Sequence, residues 1–221
     1  MLRIDLAVPL ADHSDARLLG ARWDAEQQVW FVPEDRDASV FAQWLLPPDG
    51  INIRAPSFFI ASSRALCRRC RGLSRVHGFA LPQGNETLNV DDESGEETWE
   101  MSDEPTFMCY LDYVAPTAIA AMRARTAHYR IAYRHRTRTY YWANHCEHCG
   151  TKLGDYDVFC EPGDGFMPLT RAEAARIVLE PIDALFVGFA GAWSLGCDLF
   201  ESMVRAGEVD ARPRHISKSA P

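Results

Sequence analysis

The sequence predicts an α+β protein: a small N-terminal β-α-β-β-α module, followed by a larger domain built on a split four-cysteine zinc ribbon. Two observations support this fold class. Strand-like and helix-like stretches alternate within the first 46 residues, and two Cys-x-x-Cys pairs stand far apart in the rest of the chain. Because a compact ribbon has its pairs close together, the segment between them must be inserted into the ribbon.

The composition is typical of a folded globular protein. The chain has 221 residues, of which 47% are hydrophobic and 24% are charged. No run of 18 apolar residues predicts a membrane span, and the N-terminal "MLRIDLAVPLADHSD" lacks the apolar core of a signal peptide. We therefore expect a cytoplasmic protein with no membrane partner. Its net charge of -8 argues against non-specific coating of nucleic acid.

Residues 1–46 are predicted to form the N-terminal module. "LRIDLAV" has strand character, and "ADHSDARLLG" predicts a helix with Asp12 or Ser14 as its N-cap and Gly20 as its end. "ARWD" and "VWFVP" flank a polar turn and predict a β-hairpin. "DASVFAQWLL" predicts a short amphipathic helix. These elements give the order β-α-β-β-α.

The rest of the chain is predicted as a linker, a large domain and a tail. "PPDGINIRAPS" indicates a linker over residues 47–60. Residues 61–210 form the zinc-ribbon domain, which has an acidic insertion at 86–104, and residues 211–221 form a disordered tail. Strands are expected at "SRVHGFALP", "TFMCYLDYV" and "TRTYYWAN", and helices at "APTAIAAMRARTAHYRIAY", "TRAEAARIVLEPI" and "CDLFESMVRAG". "DALFVGFAG" is a buried strand or the start of a buried helix.

The predicted metal ligands are the four cysteines of the two pairs: Cys67, Cys70, Cys146 and Cys149. Each pair forms a tight turn that directs two sulfurs at one ion, and two turns complete a tetrahedron around Zn²⁺. Four thiolates leave no open position for water, so a structural role is expected. Two alternatives stay open. The pairs could be reduced or redox-active, or a histidine (His77, His145 or His148) could replace one cysteine.

The sequence contains no complete catalytic motif. His145-Cys146-Glu147 matches the H-x-E of nucleobase deaminases, but no Pro-Cys-x-x-Cys follows it. The stretch 192–196, "AWSLG", has the form of a nucleophile elbow, but only one histidine, His215, follows it. The remaining cysteines are expected to be buried, inert thiols: Cys109, Cys160 and Cys197. A non-enzymatic protein is therefore expected, with a hydrolase as the remote alternative.

The N-terminal hairpin is the first candidate nucleic-acid contact. Arg22, Trp23 and Trp30 lie around its turn. If exposed, these side chains would stack on bases and pair with phosphates. The alternative is that both tryptophans form the core of a small module with few other large apolar residues. Both roles are compatible if only one ring is buried.

The stretch from 123 to 138 is the second candidate nucleic-acid contact. It holds six arginines and no acid, and Arg130, Arg134 and Arg136 alternate with tyrosines near a predicted helix. The alternatives are a solvated helix face and a face that the acidic insertion neutralises. Arginine outnumbers lysine 21 to 2 in the whole chain, so arginine content alone indicates no ligand.

The insertion from 86 to 104 is a candidate docking site for a basic protein partner. It carries nine acids and no base, and we expect it to be a mobile loop or an insertion. Its densest acids are Asp91, Asp92, Glu93, Glu96 and Glu97. The alternative is a solvated insertion without a partner.

Two resemblances add context. The N-terminal motif "LGARWD…VWFVP" resembles a small bacterial domain of unknown function that recurs in plasmid primase-like and other mobile-element proteins. Its Trp-Asp…Trp hairpin is also similar to the HARP domain of annealing helicases, which handles forked DNA. "YYWANHCEHCGTKLGD" resembles an uncharacterised bacterial zinc-ribbon family in which "NHCEHCG" follows a strand. These resemblances imply an architecture and a DNA-processing context. They do not indicate any particular activity.

Three functions follow as expectations. The first is a non-enzymatic zinc-binding interaction protein, an adaptor or inhibitor with a protein partner, for which a basic protein is one candidate. The second is a nucleic-acid-associated accessory protein of a mobile-element or DNA-processing system. The third and remote one is a hydrolase. The acidic charge favours the first, and the arginine-aromatic stretches favour the second.

Overall fold

The computed structural model describes residues 4–45, 50–193 and 199–207. In these ranges, strands of a three-stranded and an eleven-stranded sheet combine with short helices. The predicted α+β class is therefore confirmed. The predicted tail at 211–221 lies outside the described residues.

The N-terminal module contains the expected order of elements. These are β1 (Ile4–Leu6), a 3-10 turn (Leu10–Asp12), α1 (His13–Leu19), β2 (Arg22–Asp24), β3 (Val29–Val32) and a 3-10 helix (Ala38–Trp44). The strands pair antiparallel in the order β1-β3-β2. The first helix ends at Gly20, whose φ of 98° gives the left-handed cap that glycine favours. The last element is a 3-10 helix, and Asp37 caps its N-terminus.

A compact core holds the module together. Trp30, Phe41 and Trp44 are its large buried side chains, and each is at most 3% exposed. The indole N–H of Trp44 donates a hydrogen bond to the Asp12 carboxylate at 2.8 Å, so this buried donor is satisfied.

The body of the protein is a large sheet. Its strands are β4 (Ile53–Ala55), β5 (Phe58–Leu66), β6 (Leu73–Leu81), β7 (Glu86–Val90), β8 (Glu97–Met101), β9 (Thr106–Val114), β10 (Tyr129–Arg134), β11 (Thr139–Asn144), β12 (Val178–Ile182), β13 (Phe186–Trp193) and β14 (Val204–Arg205). The order is β14-β12-β5-β6-β9-β13-β4-β7-β8, and the β10–β11 hairpin joins β9. The helical elements are α2 (Pro116–Arg123), a π-helical turn (Tyr156–Cys160), α3 (Arg171–Ala174) and a 3-10 turn (Phe200–Ser202).

The central strands of the sheet are buried on both faces. Successive side chains of a strand point to opposite faces of the sheet. In the central strands, consecutive residues therefore belong to different hydrophobic clusters. Ile60 and Met108 lie in one hydrophobic cluster, whereas Ala61 and Phe107 lie in the other. The second cluster also contains Cys67 and Cys146, so the end of the sheet that carries the cysteines is part of the hydrophobic interior.

The module packs directly on the body. The Ser39 hydroxyl accepts a hydrogen bond from the Ile131 backbone N–H at 2.7 Å. Ile131 also packs against the module core, and Ala42 of the module lies in the first core of the body. The boundary predicted after residue 46 thus separates two chain segments that share apolar contacts.

Two segments predicted to lack regular structure contain strands. The range 47–60, predicted as a linker, includes β4 and the start of β5, because Ile53 and Ala55 alternate inward with period two. The acidic insertion 86–104 forms the β7–β8 hairpin, in which Leu88 lies opposite Trp99. The expectation of a mobile loop is therefore wrong.

Three predicted helices are wrong in whole or in part. The helix predicted over "TRAEAARIVLEPI" ends at Ala174, and Val178–Ile182 is strand β12. α2 ends at Arg123, and Tyr129–Arg134 is a strand that pairs with β11 over six residues. Tyr129, Ile131 and Tyr133 alternate with period two, and this strand pattern overrides the alanine-rich helix signal before it. The described part of "CDLFESMVRAG" is a 3-10 turn followed by β14, which pairs parallel with β12. The ambiguous "DALFVGFAG" contributes to strand β13.

Candidate metal centre and interaction surfaces

The four predicted cysteines converge on one point. The sulfurs of Cys67, Cys70, Cys146 and Cys149 all lie within 4.8 Å of one another. The Cys67–Cys149 and Cys70–Cys146 sulfur pairs are 3.7 and 3.6 Å apart. Metal–sulfur bonds of 2.3 Å in a tetrahedron place sulfurs about 3.8 Å apart. The cluster therefore has the dimensions to hold one metal ion.

The two turns that carry the cysteines have the same backbone geometry. Cys67 donates its N–H to the Gly72 carbonyl and accepts from the Arg71 N–H; Cys146 donates to Thr151 and accepts from Gly150. The fifth residue of each turn has a left-handed φ, 62° at Arg71 and 68° at Gly150. In each turn the first cysteine is buried and the second exposed. Two matched turns thus face each other across the cluster.

The pKa values of the two exposed cysteines are shifted in opposite directions. Bonds to the Thr151 hydroxyl and backbone N–H lower the pKa of Cys149 to about 6. A bond from the Gly72 N–H favours the Cys70 thiolate, but burial and contacts with the other three sulfurs raise its pKa to about 11. The four sulfurs therefore titrate as one electrostatic unit, and a divalent cation would favour their thiolate forms.

A buried amide joins the two halves of the site. Asn144 immediately precedes the second turn, and its side chain bonds both backbone groups of His77 at 2.8 Å. Nearby, the Glu147 N–H donates to the Ser74 hydroxyl, and the Glu147 carboxylate accepts from the Arg75 N–H. Sequence reasoning missed Asn144, although its position directly before the cysteine turn was visible in "NHCEHCG".

The candidate histidines lie outside the sulfur cluster. Among the described residues, the ligand group around this point consists of the four cysteines alone. His145 contacts the Ala143 carbonyl, and burial lowers its pKa to about 4. Burial likewise lowers the pKa of His77 to about 4. The third candidate, His148, contacts the Leu73 carbonyl. The geometry favours four cysteines over the three-cysteine, one-histidine alternative.

The other motif residues form no catalytic arrangement in the described part of the chain. Cys146 of the H-x-E motif belongs to the sulfur cluster. Cys109 is buried, as expected, whereas Cys160 is half-buried, and burial raises its pKa. Cys197, His215 and residues 194–196 of the elbow-like stretch lie outside the described residues.

The N-terminal hairpin presents one exposed tryptophan. Trp30 is 3% exposed and Trp23 is 46% exposed. Trp23 and Trp30 are cross-strand partners with ring centroids 5.6 Å apart, and the His13 ring lies 6.1 and 5.1 Å from them. These rings line a shallow groove with Val8 and Pro9. We call it the aromatic groove. One ring is buried and one is accessible, so a core role for Trp30 is compatible with a contact role for Trp23.

The side chains of Arg22 and Trp23 lie on opposite faces of the N-terminal sheet. Neighbouring residues of a strand point to opposite faces, and Arg22 lies opposite Phe31 whereas Trp23 lies opposite Trp30. Arg17 takes the place expected for Arg22, because its guanidinium lies 5.6 Å from the centre of the Trp30 ring. Sequence reasoning missed Arg17, although it lies four residues after His13 on α1, where side chains share one face.

The arginines of the second candidate surface do not form one exposed face. Arg134 contacts the rings of Tyr110 and Tyr141 and lies 3.6 Å from the Asp112 carboxylate. Arg130 is half-buried in β10, and Arg136 is exposed in the turn that follows. Arg134 thus has a packing role, which its position in the sequence did not reveal.

The acidic residues project from the turn of the β7–β8 hairpin. Asp91 organises this turn by accepting hydrogen bonds from the Glu93 and Ser94 backbone N–H groups and from the Ser94 hydroxyl. These bonds lower the pKa of Asp91. The predicted docking acids are all exposed: Asp91, Asp92, Glu93, Glu96 and Glu97. The hairpin therefore presents a concentrated negative charge on an ordered element.

No described helix has both the length and the apolar character that crossing a bilayer requires.

Comparisons with known proteins concern the N-terminal module. Residues 3–46 match a domain of unknown function, DUF5710. Two Escherichia coli proteins named DNA primase TraC are similar to this chain: one is 51% identical over 37 residues and the other 40% over 42 residues. These segments are 17% and 19% of this chain, which spans only 3% and 4% of the two relatives. No solved structure matches. The predicted resemblance of the N-terminal module to a domain of unknown function is confirmed.

Proposed function

We propose that the protein is a non-enzymatic accessory protein of a DNA-processing system, and that its N-terminal module binds single-stranded nucleic acid. The observation that carries this proposal is the exposed Trp23 ring, supported from below by Trp30 and His13. It lies in the segment that is similar to proteins named DNA primase. This similarity supports the nucleic-acid function, and it gives no support to docking to a basic protein.

The aromatic groove suits a base better than a phosphate. An exposed aromatic ring on a packed support stacks a base without reading its sequence, and each such contact contributes about 1–3 kcal/mol. Residues 4–45 hold eight acids and three arginines, so phosphate attraction to the module is weak. Among the described residues, Arg17 is the arginine that contacts the Trp30 ring. Binding at the groove should therefore depend on stacking and only slightly on salt.

We also propose that the metal is zinc and that its role is structural. Two matched cysteine turns give four sulfur ligands in tetrahedral spacing, the arrangement of structural zinc sites. With four thiolates bound, the ion has no free position for water or substrate. The site supports the end of the sheet where Cys67 and Cys146 enter the hydrophobic core.

A second candidate function rests on the acidic hairpin. Its exposed acids lie on an ordered β-hairpin, and Arg54 contacts both Glu86 and the Trp99 ring at the base. A basic protein segment would be the complementary partner. Neutralising Glu93, Glu96 and Glu97 to glutamine should then abolish co-purification of a basic partner without altering nucleic-acid binding.

Fluorescence anisotropy with labelled single-stranded DNA, duplex DNA and RNA tests the nucleic-acid function. We expect Trp23→Ala to weaken single-strand binding about 10-fold or more, and Trp23→Phe to retain most of it, because a phenyl ring also stacks. Leu18→Ala is the matched control, since Leu18 is 85% exposed in the same module and does not line the groove. If the wild-type protein binds none of the three probes at low salt, the proposal is wrong.

A further inference from the structure

The first cysteine turn stands on a hairpin end whose outer face is unusual for a protein surface. In the β5–β6 register Arg64 lies opposite Arg75, and Leu66 lies opposite Leu73. Leu66 and Leu73 are 39% and 51% exposed, and both arginines are exposed. The residues between them point inward and are buried, as Ala65 illustrates. We call these four outward residues, with Arg69 and Arg71 of the adjoining turn, the arginine–leucine face.

This face concentrates positive charge in an acidic protein. Residues 64–75 contain five arginines and no acid, whereas the whole chain has a net charge of -8. Arg68 is paired with Asp157 and Glu161. Arg64, Arg71 and Arg75 form no side-chain ion pair with any residue that the structure describes.

The carboxylates of Asp164 and Glu147, which lie near this face, accept hydrogen bonds from backbone N–H groups. Asp164 accepts hydrogen bonds from the Leu66 and Gly165 N–H groups, and Glu147 accepts from the Arg75 N–H. These acids therefore fix the hairpin end and the cysteine turns, and the structure shows no bond from them to the arginine side chains. Like charges directly opposite each other in an antiparallel pair are destabilising, so the Arg64–Arg75 pair is a cost that an anion on the face would relieve.

The structure also provides a concave surface beside the face. Arg64, Leu73 and Arg176 line a groove of about 480 Å³. Asp164 and Glu173 also line it, and their carboxylates accept hydrogen bonds from the backbone N–H groups of Leu66 and Leu169. The sulfur cluster lies at one end of this surface, because Arg69 and Arg71 belong to the first cysteine turn. Arginines at fixed spacing beside exposed leucines suit a polymer that has both phosphates and apolar surfaces.

We infer that the arginine–leucine face contacts the phosphate backbone of single-stranded nucleic acid. The inference rests on the proposed function, since it takes the same class of ligand and adds the phosphate contacts that the acidic N-terminal module lacks. Arg64, Arg71 and Arg75 contact phosphates, and Leu66 and Leu73 contact sugars or bases. An acidic protein segment is the competing ligand for the same charges, and polyglutamate serves as its probe.

The test measures the salt dependence of anisotropy with labelled oligothymidine on the zinc-loaded full chain. Each phosphate contact to a single strand contributes about 0.7 to the slope of log affinity against log salt. We expect the Arg64→Ser/Arg75→Ser variant to lose about 1.4 of this slope and to bind about 10-fold or more weakly at low salt. Arg64→Lys/Arg75→Lys should keep the slope because it keeps the charge.

The charge-matched control is Arg136→Ser/Arg138→Ser, which removes two exposed arginines from the β10–β11 turn. Equal loss in this control, or an unchanged slope in Arg64→Ser/Arg75→Ser, overturns the inference. If Trp23→Ala weakens binding while the Arg64→Ser/Arg75→Ser variant does not, the inference fails and the proposed function stands. If wild type binds polyglutamate but no nucleic acid, both fail. Zinc content and denaturation midpoints confirm that each variant is folded.

Discussion

Asn144 and His77 are joined by two hydrogen bonds that cross the candidate metal site from one half to the other. The Asn144 amide nitrogen donates to the His77 carbonyl, its oxygen accepts from the His77 N–H, and both distances are 2.8 Å. Asn144 is 1% exposed. The side chain thus pairs with the backbone of β6 as a neighbouring strand would, and it fixes β11 just before Cys146.

Replacing this amide should destabilise the protein. Asn144→Ala leaves a buried N–H and a buried carbonyl of His77 without partners, which costs about 2–4 kcal/mol of unfolding free energy. Chemical denaturation of the zinc-loaded protein measures this change. Asn89→Ala is the control, because Asn89 makes one exposed hydrogen bond to Glu100, and its loss should stay within about 0.5 kcal/mol. Equal stability of the two variants would show that the Asn144 bridge contributes nothing.

Removing one sulfur should release the metal and loosen the body. We expect about one zinc ion per purified wild-type chain, and Cys149→Ser should lower both zinc content and solubility, because metal binding and folding are coupled. A chelator should lower the melting temperature of wild type. Cys160→Ser, outside the cluster, should retain the metal. Full zinc content and an unchanged melting curve in Cys149→Ser would contradict a structural zinc site. Elemental analysis and thermal unfolding provide both measurements.

The convergence of the four cysteines was predictable because its information is local. Each Cys-x-x-Cys pair specifies its own turn, so two pairs predict a four-sulfur site even with 75 residues between them. Asn144 was not predictable as the bridge, since its partner His77 lies 67 residues away and is chosen by the packing of β6 on β11. The alternating patterns of β6, β9 and β11 were likewise local and gave correct strands.

The wrong secondary-structure predictions concern segments whose structure depends on contacts with residues far away in the sequence. The acidic segment forms a hairpin because Leu88 and Trp99 pair across it and Arg54, which is 32 residues from Glu86, packs on the Trp99 ring. Alanine and arginine favoured a helix through Arg130, but β11 offered that segment a pairing partner, and sheet formation overrode helix propensity. For the same reason the sequence suggested Arg134 as a ligand contact, whereas two tyrosine rings and Asp112 hold it.

The buried carboxyl of Asp155 should make stability depend on pH. One oxygen accepts the Tyr110 N–H, and the other has no hydrogen-bond partner among the described residues. Burial raises the pKa of Asp155 to about 7 from an ordinary value of 3.8. The folded state therefore holds this proton more tightly than the unfolded state, and the stability contributed by the protonated form is lost as pH rises from about 4 to 7.

Asp155→Asn removes this dependence while it keeps an oxygen for the Tyr110 N–H. At pH 8 we expect the variant to be more stable than wild type by roughly 2–4 kcal/mol, because one pKa unit corresponds to about 1.4 kcal/mol. At pH 5 the difference should be much smaller, since wild-type Asp155 is protonated there. Urea denaturation at both pH values measures the difference, and zinc loss at low pH affects both proteins equally. A gain that is the same at pH 5 and pH 8 would contradict ionisation of Asp155 as its cause.

Alanine substitutions at Gly165 and Gly95 distinguish the energetic cost of a steric clash from the cost of backbone strain. Both have left-handed φ values, 51° and 69°, but a Cβ on Gly165 would lie 2.0 Å from the Val158 carbonyl oxygen, whereas one on Gly95 meets nothing within 4 Å. The Val158 carbonyl accepts the Phe166 N–H at 2.8 Å and so cannot retreat without breaking that bond. Gly165→Ala should therefore lower the free energy of unfolding by about 3 kcal/mol or more. Gly95→Ala should lower it by only about 1 kcal/mol, through conformational strain. Denaturation of the two zinc-loaded variants compares these costs, and a Gly165→Ala loss no larger than that of Gly95→Ala would mean that the π-helical turn at Tyr156–Cys160 shifts freely.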